Sequence, residues 1–322
     1  MAAARPLTVV ANRLPVQRRE DGKWIRSPGG LVSALEPVFA ERGGAWIGWT
    51  GDADAEVSDF RLGKLSLYPV PISSQELSDF YLGFCNATIW PLYHDAVRTP
   101  EFHRHWWKPY QNLNHRFAER TSKVAEENAI IWIHDYQLQL VPLSVREKRP
   151  DLTIGFYLHT PFPPPELFSR MPWRTQIMEG LLGADVIGVQ TPSSASNLAR
   201  AAILFAGAKG NSRELVWRKR RIRIHPAPIS IDFRRYDTLA QDPKIIARAQ
   251  EIKSLFGKTN TLILGVDRLD YTKGIDVRLR AFETLLDQSK GSSNNYTMLQ
   301  IAVPSRTDVD DYAEMRQHIE EI

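Results

Sequence analysis

The stretch AIIWIHDYQLQLVPLSVREKRPDLTIGFYLHTPFP, residues 129–163, decides the fold of this chain. It begins with a near-continuous apolar strand at 129–134, continues through a helical segment that contains Leu140 and Val145, and ends with a second apolar strand at 152–159. Strands that are apolar on both faces and separated by helices are typical of a parallel sheet covered on both sides. The stretch therefore predicts an α/β protein, and such sheets bind ligands beyond the carboxyl ends of their strands.

Apolar segments elsewhere extend this alternation. Upstream we expect strands at 7–11, 45–49 and 64–70 and helices at 31–40 and 74–86. An antiparallel arrangement is an alternative for the strands at 45–49 and 64–70. Downstream we expect a strand at 186–190, a helix around 196–205 and a strand at 222–227. Ser74 is the predicted N-cap of its helix, because its hydroxyl can accept the free amides of the first turn.

A second strand–helix series follows a polar segment at 230–258, and we place a domain boundary there. The series consists of a strand at 262–266, a helix at 276–286, a strand at 296–303 and a helix from 309 onward. We assign residues 1–240 to a first domain and residues 241–322 to a second. Two parallel strands cannot bury both of their faces, and the chain ends inside the helical segment MRQHIEEI without a C-cap signal. We therefore expect the sequence to be a fragment of a longer protein whose second domain is incomplete here.

The composition is that of an ordinary globular protein. The chain has 322 residues, of which 43% are hydrophobic and 24% charged, and this length suits two domains. It contains no apolar run of about eighteen residues, and its N-terminus lacks the cationic and apolar segments of a signal peptide. The single cysteine, Cys85, excludes an internal disulfide and predicts a reducing, cytoplasmic location.

The formal net charge is +4, and one dense basic run, WRKRRIR, occupies residues 217–223. A single short run is more typical of a solvated loop or strand edge than of a nucleic-acid interface. We expect neither nucleic acid nor a membrane as a partner. Scattered arginines suit an anionic small-molecule substrate instead.

Three polar side chains, Arg13, Asp135 and His159, stand at the ends of predicted parallel strands. We expect them to converge on one cleft, because the carboxyl ends of parallel strands share one edge of the sheet. Arg13 can grip a phosphate with its planar fork, Asp135 can accept bonds from sugar hydroxyls, and His159 can donate to a sugar. The alternatives are a surface salt bridge for Arg13 and a helix N-cap for Asp135. The histidines show no zinc-like spacing, so we expect no metal.

Two further groups suit a sugar nucleotide and a sugar. Gly29 and Gly30 directly precede a predicted helix, where a bare backbone and free amides attract phosphate, although a Gly-Gly pair is as often a simple turn. Trp49, Tyr81 and Trp90 offer aromatic faces on which a sugar ring can stack. Their alternative is packing in the core.

A last candidate lies in VDRLDYTKG, residues 266–274, at the end of the first strand of the second series. Arg268 and Lys273 are five residues apart across a turn, so both can converge on one anionic group. A reaction whose leaving group is a nucleoside diphosphate needs positive charge of this kind. The alternative is a pair of solvated basic residues.

Taken together, these segments resemble the trehalose-6-phosphate synthase family, and most closely its actinobacterial branch. The motifs in order are VVANRLP (9–15), RSPGGL (26–31), IGWTG (47–51), FYLGFCNATIWPLYH (80–94), IWIHDYQLQLVP (131–142), IGFYLHTPFPPPELF (154–168), LLGADVIGVQT (181–191), LGVDRLDYTKG (264–274) and PSR (304–306). Several motifs are weak alone, but the ordered set spans essentially the whole chain and is specific. The sequence lacks the later Asp-Gly-Met-Asn-Leu-Val-like loop with which the family grips the donor.

The resemblance implies two Rossmann-like domains of the GT-B glycosyltransferase type, with acceptor binding at 1–240 and nucleotide-sugar binding at 241–322. It implies that glucose passes from a nucleotide-glucose, UDP-glucose by default, to glucose 6-phosphate, with retention and without a metal or other cofactor. The resemblance leaves open whether the donor carries GDP or ADP in place of UDP, and whether the protein forms a homo-oligomer. Two alternatives remain: a synthase for another phosphorylated acceptor such as glycerol 3-phosphate, and a non-catalytic sugar-phosphate-binding fragment.

The resemblance also assigns roles to single residues. The expected acceptor-binding residues are Arg13, Trp49, Tyr81, Trp90, Asp135 and Arg306, the last of which reaches the acceptor phosphate. The expected donor-binding residues are Gly29, Gly30, His159, Arg268 and Lys273. Asp135, His159, Arg268 and Lys273 are the expected catalytic residues.

Overall fold

The computed structural model of the chain describes residues 5–19, 21–256, 261–289, 295–303, 317 and 319–321. The chain divides into two compact units, Met1–Ser230 and Ile231–Ile322. Both units combine helices with parallel strands, so the α/β class predicted from the sequence is confirmed. The assignment of acceptor binding to 1–240 and of donor binding to 241–322 stays a prediction.

The first unit is built on a ten-stranded mixed sheet. Its strands are β1 (Leu7–Arg13), β4 (Gly44–Trp49), β5 (Phe60–Leu62), β6 (Leu65–Pro69), β7 (Ile130–His134), β8 (Thr153–Leu158), β9 (Val186–Val189), β10 (Lys209–Gly210), β11 (Glu214–Trp217) and β12 (Arg220–Pro226). Their spatial order is β10-β11-β12-β9-β8-β7-β1-β4-β6-β5. A separate hairpin consists of β2 (Val16–Arg18) and β3 (Trp24–Arg26).

The strands from β6 across to β12 all run parallel. Antiparallel pairing is confined to β5, β10 and β11 at the two sides of the sheet. The antiparallel arrangement considered for 45–49 and 64–70 is wrong, because β4 pairs parallel with both β1 and β6. The short strand β5 turns back onto β6 and takes the antiparallel place.

Apolar residues on both faces hold the central strands in place. Val9, Ile131, Ile133, Ile154 and Phe156 are all buried. A strand of this kind can be buried on both faces only if helices cover the sheet on both sides, which parallel crossovers provide.

The helices of the first unit vary widely in length. They are α1 (Gly30–Arg42), α2 (Ser74–Glu76), α3 (Trp90–Tyr93), α4 (Arg104–Val124), α5 (Val141–Lys148), α6 (Pro165–Phe168), α7 (Arg174–Leu181) and α8 (Pro192–Ala206). A π-helical segment, Leu77–Ile89, joins α2 to α3, and a 3₁₀ turn, Tyr136–Leu138, follows β7.

The N-cap of α2 is Ser73, so the prediction of Ser74 is wrong by one residue. The Ser73 hydroxyl accepts the backbone N–H of Glu76 at 3.2 Å, and the Glu76 carboxylate accepts the N–H of Ser73 at 3.0 Å. This reciprocal pair satisfies two amides at once. The Ser74 hydroxyl donates to the Asp54 carboxylate instead.

The second unit contains helices α9 (Phe233–Ala240), α10 (Pro243–Ser254) and α11 (Ile275–Gln288) and the parallel strands β13 (Thr261–Arg268) and β14 (Tyr296–Val303). Leu264 and Val266 on β13 are 60% and 63% exposed, and Ile301 and Val303 on β14 are 46% and 54% exposed. The strand pair therefore carries a surface of exposed apolar side chains. The predicted helix from 309 onward begins outside the described residues.

Close contact between α5 and the end of α7 depends on Gly183. A Cβ at this position would lie 2.2 Å from Leu143 N and 2.3 Å from Leu143 Cα, and these backbone atoms cannot rotate away as a side chain can. In Gly155, by contrast, a Cβ would meet its nearest atom, Trp132 Cδ1, at 3.7 Å.

We expect Gly183→Ala to lower the free energy of unfolding by about 1–3 kcal/mol, the usual cost of overpacking, whereas Gly155→Ala should change it little. Chemical denaturation of both variants and of the unaltered chain measures this difference. Equal stability of the two variants would contradict the close approach at Gly183.

Candidate functional site

Three neighbouring parallel strands carry their polar residues to one edge of the sheet. Arg13 is the last residue of β1, Asp135 directly follows β7, and His159 directly follows β8. The strands lie in the order β8-β7-β1 and are all parallel, so the three residues lie at their shared carboxyl edge. This edge is where open α/β sheets bind ligands.

Arg13 stacks on Trp49, which lies in register with it on β4. The Arg13 Cζ atom is 4.7 Å from the centroid of the indole, and the Trp49 Nε1–H donates to the Asp52 carbonyl at 3.0 Å. Stacking on an aromatic face holds a guanidinium while leaving its N–H donors available to an anion.

Gly51 makes room for this guanidinium. Its φ is +108°, and a Cβ there would lie 2.1 Å from the Arg13 Nη2 atom. Only glycine fits both the backbone conformation and the space. The sequence motif GWTG contains this glycine, but the motif alone does not indicate that Arg13, 38 positions earlier in the chain, packs against it.

The π-helical segment Leu77–Ile89 decides where Tyr81 and Trp90 lie. Trp90 lies nine positions after Tyr81, which is roughly two and a half turns of an α-helix and would place the rings on opposite faces. A π-helix has more residues in each turn, so the same separation is close to two turns and brings both rings near one face. Tyr81 contacts Trp49 with ring centroids 6.4 Å apart.

Trp90 is buried against Tyr136, and their ring centroids are 5.6 Å apart. The Tyr136 hydroxyl donates to Asn86 Oδ1 at 3.0 Å. Asn86 comes from the π-helical segment and Tyr136 directly follows Asp135, so this bond ties the aromatic residues to the end of β7. Neither Asn86 nor Tyr136 was among the residues predicted from the sequence.

Asp135 joins β7 to the next strand. Its N–H donates to the Tyr157 carbonyl at 2.8 Å, and its Oδ1 accepts the N–H of His159 at 3.2 Å. It stands at the N-cap position of the 3₁₀ turn without a side-chain capping bond to that turn. Burial raises the pKa of the carboxyl, and nearby His159 and backbone N–H groups oppose that rise. Part of the residue is still accessible to solvent, although protein encloses the carboxylate.

His159 lies against a second histidine, His134, which ends β7. The Nδ1 atom of His134 is 3.1 Å from Nε2 of His159. Burial lowers the pKa of His134 well below its usual value, and the neighbouring His159 lowers it further. Burial also lowers the pKa of His159, and Asp135 opposes that change. Sequence reasoning missed His134, although it is part of the same IHD segment as Asp135.

Gly29 and Gly30 form the start of α1. Gly29 is the N-cap, no side chain caps the helix, and both glycines are exposed. A Cβ on either would meet no atom within 4 Å. The glycines therefore leave an open backbone at a helix N-terminus, where free amides attract anions.

The second unit carries the remaining candidates. Arg268 ends β13, and Lys273 lies in a 3₁₀ turn, Tyr271–Lys273, just before α11. The Arg268 Nη2 atom is 3.7 Å from a carboxylate oxygen of buried Asp270. Both cations are exposed and lie beyond the carboxyl end of the same strand. Arg306, predicted to reach the acceptor phosphate, lies outside the described residues.

The basic run at 217–223 covers the end of β11, the turn at 218–219 and the first four residues of β12, and several of its charges are paired. Arg220 lies 2.7 Å from Asp185, and Arg218 lies 3.2 Å from Glu179. Within the described part of the chain, no group of three His, Cys, Asp or Glu side chains could hold a metal ion. No helix that the structure describes is long and apolar enough to cross a membrane.

The geometry at the sheet edge agrees with the sequence relationships of the chain. A family model described as glycosyltransferase family 20 matches residues 5–322. The chain belongs to glycosyltransferase family 20. The trehalose-6-phosphate synthase of Mycolicibacterium smegmatis is 48% identical over 325 residues, a match that covers 97% of this chain and 65% of that protein. The enzyme of the same name from Mycolicibacterium vanbaalenii is 49% identical over 331 residues, covering 97% and 67%.

Solved structures show the same fold. A protein from E. coli bound with UDP-2-fluoro glucose matches with a TM-score of 0.86 at 28% identity, covering 98% of this chain and 68% of that one. The UDP-forming α,α-trehalose-phosphate synthase of Burkholderia xenovorans, in complex with glucose 6-phosphate, matches with a TM-score of 0.87 at 28% identity, covering 98% and 70%. The prediction of a GT-B glycosyltransferase fold is confirmed. The chain spans about two thirds of the length of these relatives.

The buried histidines make the stability of the first unit depend on pH. A histidine whose pKa is lowered by folding stays neutral below pH 6.5, where the unfolded chain binds the proton. Stability should therefore fall as the pH drops from 6.5 towards the folded pKa, by up to about 1.4 kcal/mol per pH unit for His134. Asp135 has the opposite sign, because its raised pKa favours the folded state at low pH.

We expect denaturation between pH 5.5 and 7.5 to show stability rising with pH, and we expect His134→Asn to show a smaller slope. An identical slope in the variant would contradict a neutral, buried His134.

Proposed function

We propose that this protein transfers glucose from a nucleotide-glucose, with UDP-glucose as the donor, to the anomeric hydroxyl of glucose 6-phosphate. The product is trehalose 6-phosphate, formed with retention in the cytoplasm. The observation that carries the proposal is Arg13 stacked on Trp49 beside Tyr81, at the sheet edge that also holds Asp135 and His159. The names and ligands of the relatives support the same substrates.

The acceptor needs two kinds of contact, and the first unit offers both. Arg13 supplies a planar, permanently charged donor group for a phosphate, and Gly51 keeps the space that this group fills. Trp49 and Tyr81 supply aromatic faces for a sugar ring, and Asp135 supplies an acceptor for hydroxyls. Aromatic faces beside a cation favour a ring acceptor over an open-chain one such as glycerol 3-phosphate.

The donor needs its diphosphate neutralised as the glycosidic bond breaks. Arg268 and Lys273 supply two cations at one strand end, and the bare N-terminus of α1 at Gly29 and Gly30 supplies free amides. His159 is the proposed contact to the glucosyl group. A front-face substitution needs no protein nucleophile, since the acceptor hydroxyl attacks on the side from which the diphosphate leaves. The bond between the glucosyl carbon and the diphosphate breaks as the new bond forms, and the hydroxyl proton passes to the departing diphosphate oxygen. Catalysis then rests on orientation and on stabilising the leaving group, and no metal is required.

The proposal is tested by incubating the protein with UDP-glucose and glucose 6-phosphate and measuring UDP release and trehalose 6-phosphate by mass spectrometry. GDP-glucose, ADP-glucose and glycerol 3-phosphate serve as competing substrates. Transfer to glycerol 3-phosphate alone would support the related synthase. Calorimetric binding of glucose 6-phosphate without donor binding or turnover would support a non-catalytic sugar-phosphate-binding protein.

We expect Arg13→Ala to weaken glucose 6-phosphate binding by about 2–3 kcal/mol, because it removes a charge-assisted hydrogen-bond donor. Arg18 is a matched control, since it also lies over an indole ring, with its Cζ 6.0 Å from the Trp24 ring, but on the separate hairpin β2–β3. Gly51→Ala should act like Arg13→Ala because its Cβ displaces the guanidinium, whereas Gly63→Ala also places a side chain at a positive φ, +60°, but meets no atom within 4 Å. Calorimetric titration measures all four variants, and equal binding by Arg13→Ala and Arg18→Ala would contradict the acceptor assignment.

We expect Lys273→Ala to lower turnover strongly while leaving glucose 6-phosphate binding nearly intact. Loss of one preorganised group at the leaving diphosphate should raise the barrier by about 2–4 kcal/mol. Lys253→Ala, at an exposed lysine near the end of α10, controls for the change in charge. Steady-state kinetics of both variants measure the effect, and unchanged turnover in Lys273→Ala would show that this lysine is merely solvated.

A further inference from the structure

His134 is a buried histidine to which the proposed reaction gives no role. It is only 1% exposed at the end of β7, yet its Nδ1 atom lies 3.1 Å from Nε2 of His159, the proposed contact to the glucosyl group. Its other nitrogen, Nε2, is buried and has no hydrogen-bond partner among the described residues. A histidine with one nitrogen used and the other enclosed has a restricted choice of tautomer.

The contact between the two rings can hold one proton, because burial keeps both imidazoles neutral. In one arrangement His134 donates from Nδ1, and the proton of His159 then sits on its own Nδ1. In the other arrangement His159 donates from Nε2, and the proton of His134 then sits on its buried Nε2.

The enclosed Nε2 of His134 decides between the two arrangements. The second would bury an N–H group with no acceptor, whereas the first buries only an unused lone pair. Orphaned buried N–H groups are rarer in proteins than acceptors with unused capacity, because an unpaired buried donor keeps its full desolvation penalty. The first arrangement is therefore favoured.

We propose that His134 is a positioning residue that donates its Nδ1–H to His159 Nε2 and so keeps the proton of His159 on Nδ1, ready to donate to a hydroxyl of the glucosyl group. That the Nδ1–H of His159 meets a hydroxyl of the glucosyl group rests on the proposed function. The tautomer of His159 does not, because it follows from contacts within the first unit.

Neighbouring residues hold His159 in this arrangement. Its backbone N–H is bound by the Asp135 carboxylate, while the Asp135 N–H is bound by the Tyr157 carbonyl. The His159 ring lies 4.7 Å from the ring of Tyr157, and the His134 ring lies 4.8 Å from the ring of Trp132. Backbone and ring of His159 are thus fixed by two consecutive residues, His134 and Asp135.

The tautomer can be read directly from the imidazole ¹⁵N resonances of the unaltered chain near pH 7.5, with His159→Gln to assign them. We expect a protonated Nδ1 and an unprotonated Nε2 in His159, which is the reverse of the preference of free histidine. In His134→Phe an aromatic ring is kept but the donor is lost, so the unprotonated Nε2 of His159 loses its stabilising hydrogen bond and the Nε2-protonated form should gain population relative to the unaltered chain. In His134→Asn the side-chain amide can still donate from near the Nδ1 position, so the unusual tautomer should persist.

Kinetics separate this role from a structural one. We expect His134→Phe to lower kcat about ten- to a hundredfold, the range seen for residues that orient metal-bound histidines, with little change in KM for glucose 6-phosphate and with rescue in His134→Asn. Protonation of His159 on Nε2 in the unaltered chain would overturn the inference, even if glucosyl transfer is observed. The expected tautomer without transfer would support the assignment of His134 and count against the proposed function. If His134→Phe does not fold, the unaltered chain and His134→Asn decide the matter.

Discussion

The sheet edge depends on the backbone of Asp135. Its φ of 75° and ψ of 172° are unusual for a residue with a side chain and cost on the order of 1–3 kcal/mol. The bonds that offset this cost are its N–H to the Tyr157 carbonyl and its carboxylate to the N–H of His159. The conformation of Asp135 ends β7 directly after His134, whose Nδ1 faces His159. It also starts the 3₁₀ turn from which Tyr136 binds Asn86. One strained residue therefore links the histidine pair to the aromatic residues.

The strand ends could be predicted from the sequence because their signals are local. An apolar run followed by a polar residue identifies a buried strand and its end, and this pattern located Arg13, Asp135 and His159 at one edge. The parallel direction of β7 and β8 also followed, since a helical segment separates them. The parallel direction of β6 could not be predicted from the sequence, because its connection to β4 contains a short strand, β5, in place of a helix.

The remaining features depend on contacts between segments that are distant in the sequence. Gly51 matters only because Arg13 lies over it, and His134 only because β8 brings His159 beside it. The π-helical form of Leu77–Ile89 changes which residues share a face, and hydrophobic period alone does not distinguish it from an α-helix. For the N-cap of α2 a local signal existed: Glu76 stands three residues after Ser73, which identifies the capping box.

The charges at this edge are unevenly distributed, and they leave one place suited to an anionic group and a separate place suited to a neutral one. Arg13 places a permanent positive charge on the aromatic surface at the end of β1. One and two strands away, burial holds His134 and His159 in their neutral forms at the ends of β7 and β8. Neighbouring strands are about 4.8 Å apart, so the ends of β1 and β8 are separated by roughly 10 Å. A phosphate at Arg13 and a sugar hydroxyl at His159 would each meet a group suited to it, because a neutral imidazole donates one hydrogen bond without attracting the phosphate away from the arginine.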